Sequence, residues 1–226
     1  MLSKTFGVIC LIGIGLMVVL TYPPESAAAT PISDMLRIAT TSEFAVIGKV
    51  VNTTGIGKRL SKEELLKLDD LSKALGGTLY AVHVEEVITS RADFMNGDVI
   101  PPRPGDTVFI FKKRDAPYSP NELYVKSQRY LIFLTPIQNQ DSLVKEYQLD
   151  GGRIYYRVEA PDVGVVQISS ASLPTVSKFR QLGAAVKPAD PQQKLKRLKA
   201  LTRSSDEELR EASTEAIRLI QATLRR

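Results

Sequence analysis

The sequence predicts a mainly β protein with helices: a barrel of five to seven short strands, one inserted helix and a C-terminal helical hairpin. Three observations carry that reading. Short runs dense in β-branched and aromatic residues recur along the middle of the chain, separated by Pro and Gly clusters. A leucine-periodic segment interrupts the first two of these runs. The last 39 residues contain no aromatic side chain and no strand pattern, and read as helix.

The chain opens on Lys4, an uncharged apolar run over residues 6–20, then Pro23, Pro24 and the small residues Ser26-Ala27-Ala28-Ala29. That layout is a secretory signal peptide over residues 1–29, with cleavage after Ala29. At about 1.5 Å per residue a 15-residue helix falls short of a ~30 Å hydrocarbon core. Retention as an N-terminal anchor is the alternative. Cleavage implies a secreted or periplasmic, cell-envelope protein with no stable membrane span. It also removes Cys10, the one cysteine, so disulfides, thiolate catalysis and Cys-ligated zinc are not expected.

Seven runs read as strands: residues 44–51, 79–84, 107–111, 130–134, 144–149, 154–158 and, more weakly patterned, 163–168. Asp150-Gly151-Gly152 reads as a hairpin turn between the fifth and sixth. Many short strands spaced this way predict a barrel or sandwich over residues 30–187. The inserted helix starts at the capping box Ser61-Lys62-Glu63-Glu64, carries Leu65, Leu68, Leu71 and Leu75 at helical spacing, and stops at Gly76-Gly77. After Pro188, a basic helix over residues 192–203 presents Leu195, Leu198 and Leu201 on one side. A second capping box, Ser205 to Glu208, opens the other helix, which carries Leu209, Ala212, Ala216 and Ile220. The two form an αα-hairpin over residues 188–226 with nine basic and six acidic side chains, +3 of the total +5.

Four segments in order, FAVIGKV, LYAVHVEEVI, GDTVFIF and QRYLIFL, span residues 44–134. Together they resemble the OB-fold barrel of tissue inhibitors of metalloproteinases and netrin-like modules. The resemblance implies an OB-like barrel. Those inhibitors present an N-terminal cysteine to the protease zinc, and the mature chain expected here has no cysteine, so that mechanism does not carry over. Residues 198–219 are similar to one HEAT-type repeat, a unit that cannot bury its apolar stripe alone.

Little in the sequence points to catalysis. Gly55-Ile56-Gly57-Lys58 lacks the spacing of a phosphate loop, because Asn52 and Arg59 stand where Gly and Ser or Thr are needed. His83 is the sole imidazole and reads as structural or surface. No G-x-S-x-G elbow occurs. Asp69-Asp70 and Glu85-Glu86 are carboxylate pairs, but neighbours on a strand point to opposite faces unless a bulge intervenes. Asn52-Thr53-Thr54 matches a glycosylation acceptor. Arg153, Tyr155 and Arg157 alternate on one face of a strand, opposite Ile154, Tyr156 and Val158; with the second set buried, the first forms an exposed basic-aromatic strip. Lys194 and Arg197 on the basic tail helix are the other partner-binding candidates.

At 43% hydrophobic and 24% charged residues, with 30 basic against 25 acidic, the chain is a folded protein without the basic excess of a nucleic-acid binder. The expectation is an exported, non-enzymatic binding protein that engages a protein or a surface polymer. No cofactor, metal or nucleic acid is expected. An envelope polysaccharide-acting enzyme using carboxylates, or an inhibitor-like module working through another edge, are the alternatives.

Overall fold

A computed structural model describes residues 30–57, 63, 76–94, 100–113, 125–159 and 164–225. The predicted signal peptide, Asp69-Asp70 and the helix predicted over residues 61–75 lie outside the described residues, apart from Glu63.

The β-branched runs become six strands: β1 (Phe44–Ile56), β2 (Gly77–Ser90), β3 (Thr107–Lys113), β4 (Arg129–Pro136), β5 (Tyr155–Val158) and β6 (Val165–Gln167). Five of them, in the order β1-β2-β3-β5-β4, close into a near-ring through a β1–β4 pairing. β3 and β5 are parallel and the other pairings antiparallel. β6 pairs with β4 on the edge that β5 occupies further along. This mixed sheet is an OB-like barrel.

Why residues 130–134 are apolar without a break follows from where β4 runs. Tyr130, Ile132 and Leu134 fill the barrel interior with Val82, Ile110 and Tyr156. Leu131 and Phe133 point the other way into a second core. A strand buried on both faces loses the alternation of a half-exposed one. β1 does the same with Phe44 and Val46 inside, Ala45 and Ile47 outside.

Helices build that second core. α1 (Ile32–Thr41) buries Ile32, Met35, Leu36 and Ala39, spaced i, i+3, i+4, i+7. α3 (Leu173–Val186) contributes Val176, Phe179, Leu182 and Val186. α4 (Pro191–Leu201) and α5 (Glu207–Leu224), the expected hairpin, add Leu195, Leu198, Leu209, Ala212, Ala216 and Ile220 to the same cluster. Thus the apolar stripe of the tail is satisfied within the chain, against α1 and α3. Gly183 on α3 lies against the β2 backbone, where a Cβ would meet the Ile88 carbonyl oxygen at 2.7 Å.

Two local expectations are corrected. Residues 144–149 are not a strand: α2 (Gln140–Tyr147) occupies this region, inserted between β4 and β5, and the Asp150 turn joins a helix to a strand. Val144-Lys145-Glu146-Tyr147 mimics alternation, but helical spacing places buried Tyr147 against Phe111, ring centroids 4.7 Å apart. In the tail, Asp206 and not Ser205 caps α5, its Oδ1 accepting from the Leu209 amide at 3.0 Å. Glu208 is thereby freed to reach another helix.

Its Oε1 accepts from the Ile32 amide at 2.7 Å, capping α1 from outside, since no side chain next to α1 does so. Its Oε2 lies 3.1 Å from Lys178 Nζ of α3, which also pairs with Asp206 Oδ2 at 2.7 Å. The lysine's hydrogen bond holds the Asp206 carboxyl below its ordinary value, and Asp206, then Glu208, hold the Lys178 ammonium above its own. The carboxylate's contribution is present above the unfolded value of about 3.9 and is lost as pH falls through the lowered folded one. The lysine's is complete below its unfolded value of about 10.4 and is lost as pH rises through the raised one. Asp206→Asn keeps a capping oxygen but removes the charge. It is expected to flatten the acid limb of Tm against pH, measured by circular dichroism.

Candidate functional site

The helices cover the outside of β1, β4 and β6 and the last part of β2, where α3 packs on Ile88. They leave the outside of β2 from Gly77 to His83, and of β3 and β5, uncovered by α1, α3, α4 or α5. On that open side the side chains alternating with the barrel core are Ala81 and His83 of β2 and Thr107 and Phe109 of β3. His83 is opposite Thr107 on β3 and opposite the exposed Lys49 on β1. Phe109 is half-buried beside Tyr155, ring centroids 6.3 Å apart. Arg153 lays its guanidinium 4.4 Å from the Phe109 ring centroid while pairing with Asp150 at 2.7 Å. The result is an aromatic centre with cations on its rim.

The predicted strip is only partly this face. Tyr156 points into the barrel and Val158 packs against its core, as the alternation requires. Ile154, expected inside, is exposed because the strand starts one residue later. Tyr155 points outward yet is 1% exposed, so it offers no partner surface. The α2–β5 turn covers it: its hydroxyl donates to the Asp150 carbonyl at 3.0 Å, and its amide to Gln140 Oε1 at 3.2 Å. Burial pushes the Tyr155 phenol above its ordinary value. Arg153 and Arg157 are exposed, the latter 3.8 Å from Glu159. Phe109 was not singled out by the sequence reading; the alternation of Thr107, Phe109 and Phe111 against Val108 and Ile110 was the available signal.

Lys194, a partner candidate, is instead a clamp inside the protein. It is 9% exposed and donates to the Asp93 carbonyl oxygen at 2.7 Å, tying α4 to the short helical turn after β2. Burial draws its ammonium below the ordinary range, with Asp93 opposing. Burial likewise raises the Asp93 carboxyl, whose Oδ2 accepts from the Ser90 amide at 2.6 Å. Arg197 is exposed, with a 3.4 Å contact to the Ala184 carbonyl.

A cleft of about 480 Å³ opens where β2 runs past the end of β3, between Glu85, Glu86 and Val87 and the 100–104 segment. The register with β1 jumps from Glu86 to Val84, so Glu85 is the extra residue of a bulge. That bulge is why two neighbouring carboxylates line one cleft. They are not a free pair: Glu85 lies 2.6 Å from Arg129 and Glu86 2.7 Å from Arg180. The open edge of β2 is occupied too, with Lys187 Nζ on the Val87 carbonyl and the Gly105 amide on that of Val84.

Among the described residues no group of three or more His, Cys, Asp or Glu is placed to hold a metal ion, and no helix is long and apolar enough to cross a membrane. The chain matches no protein-family model and no curated protein sequence.

Proposed function

We propose that the chain is an exported, non-enzymatic binding protein whose barrel engages a protein or surface polymer on the outer face of β2, β3 and β5. The observation that carries this reading is the asymmetry of the barrel. One side is buried under helices, and the other keeps Phe109 half-exposed among Lys49, His83, Arg153 and Arg157. OB-folds bind oligosaccharides and oligonucleotides on the strand 2–3 face, where rings stack and cations steer. The closed five-strand order also supports a relation to netrin-like modules, without the cysteine-based inhibitory mechanism. Arginine pairing of Glu85 and Glu86 supports binding over acid–base catalysis.

The test is capture of envelope components by the parent chain and by Arg153→Glu/Arg157→Glu. A ligand of this face is expected to bind the double variant roughly tenfold or more weakly, each charged hydrogen bond contributing about 1.5–3 kcal/mol. Equal capture by both proteins removes the face from consideration. Turnover of envelope polysaccharide, lost in Glu85→Gln, establishes the enzyme instead.

A further inference from the structure

The outward side of α4 is a row of cations whose one recorded contact with the rest of the fold is that of Arg197 with the Ala184 carbonyl. Lys196, Arg197 and Lys199 are exposed on this helix and Arg203 follows in the turn after it. None of the four forms an ion pair with a described residue, and residues 191–201 contain no acidic side chain. The neighbouring helix handles its charges differently: on α5, Arg210 pairs with Glu207 and Arg218 with Glu215. Like charges one turn apart repel, so the α4 row is a local cost that no ion pair with a described residue offsets.

We infer that this row, Lys196, Lys199 and Arg203 flanked by Arg197, is a docking site for a linear phosphate-bearing polymer. It is separate from the β2–β3–β5 face and does not depend on that face binding anything. The occupant follows from charge and shape. Lys196 and Lys199 fall on one side of the helix about one turn apart, and Arg203 continues the row in the turn that follows, a stripe on the order of 10 Å long and one side chain wide. The stripe matches an extended chain of charges. Lysines act as point charges without a planar fork, so they register charge density more than the shape of a particular group. A phosphate chain carries a high linear charge with condensed counterions, whose release drives association. A bilayer fits less well: the other outward positions are Gln192, Gln193 and Ala200, and no aromatic or large aliphatic side chain is present to enter the acyl boundary. Lys194, which faces inward, takes no part.

The experiment titrates the purified chain with inorganic polyphosphate over a range of salt concentrations. Four cations predict a slope of log K against log salt of about −3, by analogy with single-stranded polyanions. Lys196→Gln/Lys199→Gln/Arg203→Gln is expected to bind at least about tenfold more weakly at low salt and to reduce the slope to about −1. Its far-ultraviolet circular dichroism and Tm should match the parent, because all three side chains are exposed. The control Lys113→Gln/Lys126→Gln/Lys145→Gln removes the same net charge from exposed positions on and around the barrel and is expected to bind like the parent. Equal weakening in both triple variants would make the attraction a net-charge effect and overturn the proposal. So would unaltered binding by the α4 variant, absence of polyphosphate binding, or capture by phosphatidylglycerol vesicles alone.

Discussion

Gly183→Ala is expected to unfold at a lower temperature than the parent, although the same change in an isolated helix is stabilising by about 1 kcal/mol. The added Cβ would lie 2.7 Å from the Ile88 carbonyl oxygen, 2.8 Å from Ile88 Cγ2 and 3.2 Å from Thr89 Cγ2. A flexible side-chain tip can swing aside; a backbone carbonyl of β2, laddered to β1 at Ala45 and Val46 on either side of it, cannot do so cheaply. The helix cannot retreat freely either, because Phe179, Leu182 and Val186 are fully buried in the core beneath it. Overpacking of this kind costs about 1–3 kcal/mol and exceeds the propensity gain. At roughly 2–4 °C per kcal/mol for a domain of this size, Tm falls by several degrees. Urea denaturation gives the sign directly. A higher midpoint would mean that α3 can shift on the barrel.

Phe179→Ala is expected to have the larger effect. Phe179 is fully buried and meets Phe133 of β4 edge-on, ring centroids 5.6 Å apart, at the contact between helices and barrel. Truncation of a buried phenylalanine costs about 3–5 kcal/mol, with the lost ring pair accounting for about 0.5–1.5 kcal/mol beyond area burial. That is a large part of the stability of an ordinary domain. Denaturant unfolding, with the slope compared to the parent, reads both the loss and any departure from a single transition. A loss below about 1 kcal/mol would mean that the Lys178–Asp206–Glu208 junction, and not the apolar contact, holds the helices down.

The barrel was legible because its strands carry their signal locally. Phe44 to Val51, Thr107 to Phe111 and Tyr130 to Leu134 are β-branched and aromatic wherever they fold. What the sequence concealed depends on distant partners. Tyr155 is buried only because the α2–β5 turn folds over it, and Lys194 only because the Asp93 carbonyl, 101 residues away in the chain, lies within reach. The bulge at Glu85 comes from pairing with Ile47 and Gly48, which no pattern within β2 specifies. α1 and α3 did leave a trace in the spacing of Ile32, Met35, Leu36 and Ala39 and of Val176, Phe179, Leu182 and Val186. Of the candidate residues, Arg153, Arg157 and Arg197 are at the surface as expected, since exposed charge is the default for arginine.

The cap on α1 has a consequence for the order of events during synthesis. The Ile32 amide finds its acceptor on a residue made 176 positions later, and the apolar stripe of α1 rests partly on that same late helix. A ribosome therefore releases α1 long before the α5 acceptor exists, although β1 and β4 residues of the same core are made earlier. The part of its stripe that α5 covers stays exposed until elongation is nearly complete. Completion of the helical layer is therefore expected late in folding, a delay built into which parts of the chain touch.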